Sequence, residues 1–282
     1  MDQFTGRVAV VTGAGSGMGR AFARRWAAEG MAVVAADVQQ NALDRTVAEI
    51  AGTGAQVVGV RTDVSDRAAV EHLADEAFGR FGGVHVLCNN AGVEGYLDGA
   101  IWEATDEDWA WTVDVNFWSV VHGVRAFVPR MLAAGEPGHV VNTCSMTSVV
   151  PASNMYGITK QAVFALTEVL AADLRARKAP IGVTALCPGT IATDLFRGSR
   201  NRPAGLRNEQ ETPGTRAGAE LRERMHATLS AGMSPDTVAD LLVDAVRRGA
   251  PYLLTDHDWD HLVRARHEAV LAGAVGDPPA AG

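Results

Sequence analysis

Tyr156 and Lys160 stand four residues apart, with Ser145 a short way upstream. On a helix that spacing brings the phenol and the ammonium onto one face. A free phenol titrates near ~10, too high for an efficient base at neutral pH. One positive charge at about 4 Å and an effective dielectric of about 20 offers about 4 kcal/mol before desolvation is subtracted, enough to bring a tyrosine into working range. Proton transfer to or from a bound oxygen is the chemistry these residue types suit, with the serine hydroxyl as hydrogen-bond partner. Taken alone, the same spacing also describes an amphipathic helix with a half-buried phenol and a solvated amine. Its meaning depends on what the rest of the chain places around it.

Upstream, Thr12-Gly13-Ala14-Gly15-Ser16-Gly17-Met18-Gly19 follows the apolar run Val8–Val11 and opens a helical pattern. Missing side chains let backbone approach a pyrophosphate there, and the first amides of the helix face its charge. Asp37 ends the second apolar run, 20 residues beyond Gly17. A carboxylate at that place accepts from both hydroxyls of an adenosine ribose and repels a 2′-phosphate. Neither Ser16 nor Val38, directly after Asp37, is basic, so the pattern favours NAD over NADP.

The elements that must hold these residues alternate. Val8–Val11, Ala32–Ala36, Val57–Val60, Val86–Cys88, Val140–Asn142 and Val183–Leu186 read as strands, and helical patterns occupy 18–29, 41–51, 66–80, 106–133 and 156–178. Such alternation implies βαβ units in a doubly wound parallel sheet with helices on both faces, the Rossmann arrangement. Its ligand crevice lies at the carboxyl ends of the strands, where the candidate residues fall. Residues 195–232 break the alternation with a polar run rich in Arg, Gly and Pro, read as a loop over the crevice that selects the substrate. Residues 194–224 hold seven Arg against five acids, a balance of +2 in a chain of −8. Either a cationic patch there attracts an anionic substrate, or the arginines pair with the loop's own Glu209, Glu211, Glu220 and Glu223; the second is the favoured reading.

At 282 residues and 47% apolar content the chain can bury one large core, read as a single domain over 1–271 with a frayed Ala/Gly/Pro-rich tail at 272–282. The net charge of −8 excludes a basic nucleic-acid footprint. No apolar run approaches the ~20 residues a membrane span needs, and Met1-Asp2-Gln3-Phe4 leads almost directly into a strand, so a cytoplasmic protein is expected. Cys88, Cys144 and Cys187 sit in or beside apolar runs and read as buried thiols. His257 and His261 would share a helix face; zinc is conceivable there, but the surrounding acids read better as the charged start of a last helix, and no metal is expected. Trp102, Trp109 and Trp111 read as core or interface rather than pocket walls.

Glycine-rich turn, acidic strand end, Asn89-Asn90-Ala91-Gly92, Asn116, Ser145, Tyr156/Lys160 and Pro188-Gly189 occur in one order. In that order and spacing the chain resembles the single-domain short-chain dehydrogenases/reductases over residues 5–255. The resemblance implies that Asp63 and Val64 flank the adenine, capping of the next helix by Asp63 being the lesser alternative. It implies that Asn90, Ala91 and Gly92 border the adenosine, that Ile191 and Thr193 after Pro188-Gly189 contact the nicotinamide carboxamide, and that Asn116 holds a water between Lys160 and solvent. Tyr156 would be the proton carrier and Lys160 would lower its pKa and bind the nicotinamide ribose. Ser145 would bind the substrate oxygen, with Thr143 as the alternative hydroxyl. The expected reaction is reversible oxidation of a secondary alcohol, with a neutral, lipophilic substrate as the default, in a homotetramer paired through the helices at 106–133 and 156–178. The alternatives are an NADP-dependent carbonyl reductase, a nucleotide-sugar epimerase or dehydratase relative, and a non-catalytic NAD-binding regulator.

Overall fold

In a computed structural model, describing residues 1, 3–208 and 213–273, seven strands pair in parallel in the order β3-β2-β1-β4-β5-β6-β7. They are β1 (Val8–Thr12), β2 (Ala32–Asp37), β3 (Val57–Arg61), β4 (Val86–Asn89), β5 (Gly138–Thr143), β6 (Ile181–Cys187) and β7 (Tyr252–Leu254). Strands β1 and β2 are nearly unbroken Val and Ala because both faces of the sheet are covered; every residue of β1, β4 and β5 is buried. Helices α1 (Gly17–Ala28), α2 (Gln40–Ala51) and α8 (Pro235–Arg248) cover one face, burying Phe22, Trp26, Leu43 and Leu242. Helices α3 (Arg67–Phe81), α5 (Ser119–Ala134) and α6 (Met155–Ala176) cover the other around Leu73, Phe127 and Leu174. The chain leaves β1 toward β2 and β3 on one side, and continues with β4 on the other. A crevice opens at that reversal, beyond the strand ends.

The structure differs from expectation in three places. The helix expected over 106–133 is α4 (Asp106–Val113), a π-helical turn over Asp114–Trp118, then α5; a π-turn has no distinct apolar period and cannot be read from pattern. β7 was not expected, being three residues long and half-exposed. The loop expected over 195–232 is largely helical: short 3-10 turns at Leu195–Asn201 and Ala204–Leu206 lead into α7 (Pro213–Ser230). Pro at the first helical position starts that helix well, and its Ala, Leu, Glu and Arg content, with Arg216 bonded to Glu220 at 3.4 Å, sustains it. Glu209, Glu211 and the tail beyond 273 lie outside the described residues. The last described helix is α9 (Asp260–Leu271). Among the described residues no helix is long and apolar enough to cross a membrane.

Candidate active site

A solvent-open crevice of about 1190 Å³ runs from Asp37, Val38 and Gln39 to Tyr156 and Lys160. Its sheet side is built from backbone. Gly13 and Gly17 take left-handed φ values of +67° and +51°, which a side chain would strain. A Cβ on Gly19 would fall 2.1 Å from the Gly13 carbonyl oxygen. The turn is therefore closed tightly enough that only glycine fits, and the first amides of α1 stay bare. Asp37 accepts from the backbone N–H of Gly15 at 2.9 Å and of Gln39 at 2.8 Å, which fixes the carboxylate while leaving lone pairs for hydroxyl donors.

Of the cofactor residues expected from sequence, Gly13, Ser16, Gly17, Met18, Gly19, Asp37, Val38, Asp63, Val64, Asn90, Ala91, Gly92, Tyr156, Lys160 and Thr193 line the crevice. Gly15, Pro188, Gly189 and Ile191 lie outside its lining. Gly15 touches Asp37, and a Cβ on it would sit 2.8 Å from Oδ2. The Ile191 side chain is buried in the core and its backbone bridges to Met233, so only backbone could reach a carboxamide. Gly189 donates to Thr255 Oγ1 at 3.0 Å, and the Pro188 carbonyl accepts from Met146 at 2.9 Å. Asp63 binds the backbone and hydroxyl of Ser65, whereas Asp66 caps α3. Sequence reasoning passed over Thr12, whose hydroxyl accepts from the N–H groups of Asn90 and Ala91 at 2.9 and 3.1 Å. It also passed over Gln39, Thr62 and Ser65, which line the crevice.

Asn154 caps α6 by accepting from Gly157 N at 2.9 Å, which sets Tyr156 in the first turn and Lys160 one turn on. The Ser145 side chain, rather than that of Thr143, acts on the phenol, favouring its ionised form. Thr143 instead donates to Asn90 Oδ1 at 3.2 Å and gives its carbonyl to Lys160 Nζ at 2.7 Å. The turn carrying Ser145 is tied down from two helices: Ser148 Oγ donates to the Lys160 carbonyl at 2.9 Å, and Arg266 of α9 donates to the carbonyls of Ser148 and Val150.

The titration of the pair differs from the sequence expectation. Burial pushes the Tyr156 phenol up to about 12, with Ser145 opposing and the Cys144 and Cys187 thiols adding to the rise. Burial pushes Lys160 down to about 8. The ammonium stands 5.6 Å from the tyrosine ring centroid, over the ring, and is held by the Thr143 carbonyl, so in the protein alone it does not outweigh desolvation of the phenol. Asn116, fully buried in the π-turn, binds the Val93 backbone through both ends of its amide and Thr159 Oγ1 at 3.1 Å. The space above Gly92 borders both Asn116 Oδ1 and Lys160 Nζ; a Cβ built there would lie 3.3 and 3.4 Å from them.

The opposite wall is the start of the lid, which lines the crevice through Leu195, Gly198, Arg200, Asn201 and Pro203; the lid as described comprises residues 195–208 and 213–230. Contrary to expectation its arginines pair across the molecule as well as within the lid. Arg202 bonds Asp108 at 2.6 Å and lies 5.3 Å from the Trp111 ring centroid. Arg222 bonds Asp98 at 2.6 Å, with buried Glu94 at 3.8 Å. Glu94 also accepts from Ser199 N and Oγ at 3.1 and 2.6 Å. Burial works against the Asp108 charge, yet the Thr105 backbone, Arg202 and Asn208 together hold its carboxyl below the usual range. Trp111, expected in core or interface, is a crevice wall. Trp102 is exposed. All three cysteines are buried free thiols. His257 and His261 bond Asp260 and the Asp258 carbonyl, and among the described residues no group of three or more His, Cys, Asp or Glu could hold a metal.

Comparison with known proteins agrees with this geometry. The short chain dehydrogenase family model matches residues 7–204. The chain is 36% identical over 273 residues to 1-deoxy-11-beta-hydroxypentalenate dehydrogenase of Streptomyces avermitilis, covering 92% of each. It is 33% identical over 257 residues to a C alpha-dehydrogenase of Sphingobium sp., covering 90% of this chain and 82% of that one. A crystal structure of a Burkholderia phymatum short-chain dehydrogenase/reductase in complex with NAD superposes over all of both chains with a TM-score of 0.95 and 42% identity. The chain belongs to the short-chain dehydrogenase/reductase family. It is an oxidoreductase acting on an alcohol/ketone pair with a nicotinamide cofactor.

Proposed function

We propose that the chain is an NAD-preferring dehydrogenase of a neutral, lipophilic secondary alcohol, working reversibly on the ketone. The observation that carries this is Tyr156 with the buried Lys160 ammonium over its ring, 5.6 Å from the centroid, at the end of a crevice whose other end is Asp37. The glycine cradle and the Asp37 carboxylate fit the dinucleotide: Gly13–Gly19 amides would hold the pyrophosphate, Asp37 the adenosine ribose, and Lys160 the nicotinamide ribose. A bound nicotinamide supplies hydride exchange at its C4.

The protein's own residues handle the proton and the oxygen. Tyr156 Oη takes the hydroxyl proton in oxidation and returns it in reduction, while Ser145 Oγ donates to the substrate oxygen as charge develops on it. A phenol at about 12 is protonated at neutral pH and so is ready as the acid for ketone reduction. Oxidation requires its ionised form, favoured as pH rises. Asn116 and Lys160 border the space over Gly92, where a water could carry the proton onward. Val93, Trp111, Val115 and Leu195 give the crevice an apolar stretch of wall, and pairing of Arg202 and Arg222 with carboxylates leaves them unsuited to a substrate anion.

NADH oxidation across a panel of ketones tests the reading. Turnover of hydrophobic ketones that is lost in Tyr156→Phe is expected; no turnover with either cofactor would overturn it. For assembly we propose a homotetramer, supported by Ile158 and Val169, which stand 42% and 58% exposed on α6, and Trp118, 43% exposed at the start of α5. Light scattering showing a monomer of 29.7 kDa at micromolar concentration would refute it.

A further inference from the structure

The lid borders the crevice through Gly198, Arg200, Asn201 and Pro203 as well as through Leu195. Arg200 is the charged one among these, and its situation differs from that of its neighbours. Arg202 and Arg222 are locked to carboxylates, and Arg197 lies 4.0 Å from Glu223. Among the described residues Arg200 is paired with no carboxylate. With the Gln39 amide turned so that its oxygen accepts, that oxygen receives Arg200 Nε at 2.9 Å and Nη2 at 3.3 Å. In the same orientation Asn201 Nδ2 donates to that oxygen at 2.9 Å. Gln39 is itself anchored, its backbone N–H held by Asp37 Oδ1 at 2.8 Å.

An exposed guanidinium resting on a neutral amide and, through Nη1, on the Arg197 carbonyl, with that amide two residues from the carboxylate that would receive the ribose, is placed to meet an anion. A guanidinium binds phosphate oxygens with two parallel bonds, whereas a carboxamide offers it only a neutral acceptor. We propose that Arg200 is a cofactor-binding residue, reaching the adenosine diphosphate half of the dinucleotide from the lid and coupling lid order to cofactor binding. The inference rests on the cofactor reading given above. Coupling of this kind is reciprocal: what the lid adds to cofactor affinity, the cofactor returns to the lid.

Titration of NADH and of ADP into wild type, Arg200→Ala, Arg200→Lys and Arg197→Ala tests this by direct binding. Loss of one charge-assisted bidentate contact should raise Kd about tenfold for both ligands in Arg200→Ala. Arg200→Lys should fall between, and Arg197→Ala should stay within about twofold of wild type. NADH should also shield the lid of wild type from trypsin at Arg197 and Arg207, and should shield it less in Arg200→Ala. Unchanged affinity in Arg200→Ala, or an equal loss in Arg197→Ala, overturns the assignment. A loss for NADH without a loss for ADP overturns the placement on the adenosine half. Wild type that binds neither NADH nor NADPH would overturn the cofactor reading itself, an outcome distinct from the variants matching a wild type that binds.

Discussion

The two walls of the crevice are made by different physics. The sheet wall is backbone held by buried strands: the glycine turn, the Asp37 carboxylate on two amides, and Tyr156 and Lys160 on a capped helix. The lid wall is held by charge, through Arg202 on Asp108 and Arg222 on Asp98 and Glu94, partners that stand about a hundred residues away in sequence. A wall of packed backbone does not yield by degrees, because a misplaced Cβ has nowhere to go. A wall of ion pairs can open and close on a rigid scaffold, since each pair trades desolvation against attraction and nets little. On the proposed function, position-sensitive chemistry would sit on the first wall and adaptable recognition on the second.

The largest test of the rigid wall is Tyr156→Phe. Removing the proposed proton carrier should lower kcat at least 10³-fold, about 4 kcal/mol, with Kd for NADH unchanged, because the ring and its packing stay. Gly19→Ala should come next. Its Cβ would meet the Gly13 oxygen at 2.1 Å and the Asn90 Nδ2 at 2.7 Å, so Kd for NADH should rise about 100-fold or more, about 2.7 kcal/mol, with a lower melting temperature. Near-wild-type affinity in Gly19→Ala would show that the turn can relax and that the contrast between the walls is overstated.

On the lid side, a double-mutant cycle of Arg202→Met and Asp108→Asn addresses the latch. The Arg202 and Asp108 side chains are 13% and 3% exposed, so removing the arginine leaves a buried carboxylate uncompensated. Each single change should raise substrate KM and destabilise the protein, and the pair should be less damaging than the sum, with a coupling of about 2 kcal/mol. Additive effects would mean that the pair is an incidental contact and the lid is held by packing.

What could be read from sequence follows the same division. Strand runs, the glycine turn, Asp37, Ser145 and the Tyr156/Lys160 spacing are local signals, because the physics that needs them acts over a few residues. The lid could not be read this way. Its Gly and Pro content imitated an unstructured loop where α7 forms, and nothing near Arg202 in the chain points to Asp108. Glu94 lies two residues past Gly92, yet its burial under Gly198 and Ser199 exists only in three dimensions. The raised Tyr156 phenol belongs to the same class, since burial cannot be counted from a four-residue spacing.

Acid should separate the walls by another route. His139 of β5 is buried and donates or accepts at Thr184 Oγ1 over 2.7 Å, and burial pushes it down to about 3. As pH falls below the ordinary imidazole range the unfolded chain takes up a proton that the folded one refuses, so stability present above pH ~6.5 is lost on the way down. Between pH 7 and pH 5 the loss should be about 2 kcal/mol in urea unfolding, and it should be absent in His139→Gln. The Asp108 latch, depressed below the usual carboxylate range, should persist through this window and be lost only at lower pH. A His139→Gln variant as acid-labile as wild type would refute the assignment.

The smallest expected effect lies where the walls meet, at Asp37. Wild type should prefer NAD over NADP by at least ~10-fold in kcat/KM, about 1.4 kcal/mol, a modest margin because the half-exposed carboxylate repels a 2′-phosphate through partly screened solvent. Asp37→Asn keeps one oxygen able to accept from either the Gly15 or the Gln39 amide and removes the charge. It should narrow the preference mainly by improving NADP. Asp37→Ala removes the anchor as well, freeing Gln39 and with it the resting place of Arg200, so it should narrow the gap chiefly by weakening NAD. Equal effects of the two substitutions would mean that Asp37 acts through charge alone and that the walls are independent at this point. Wild type using NADP as well as NAD would refute the preference outright.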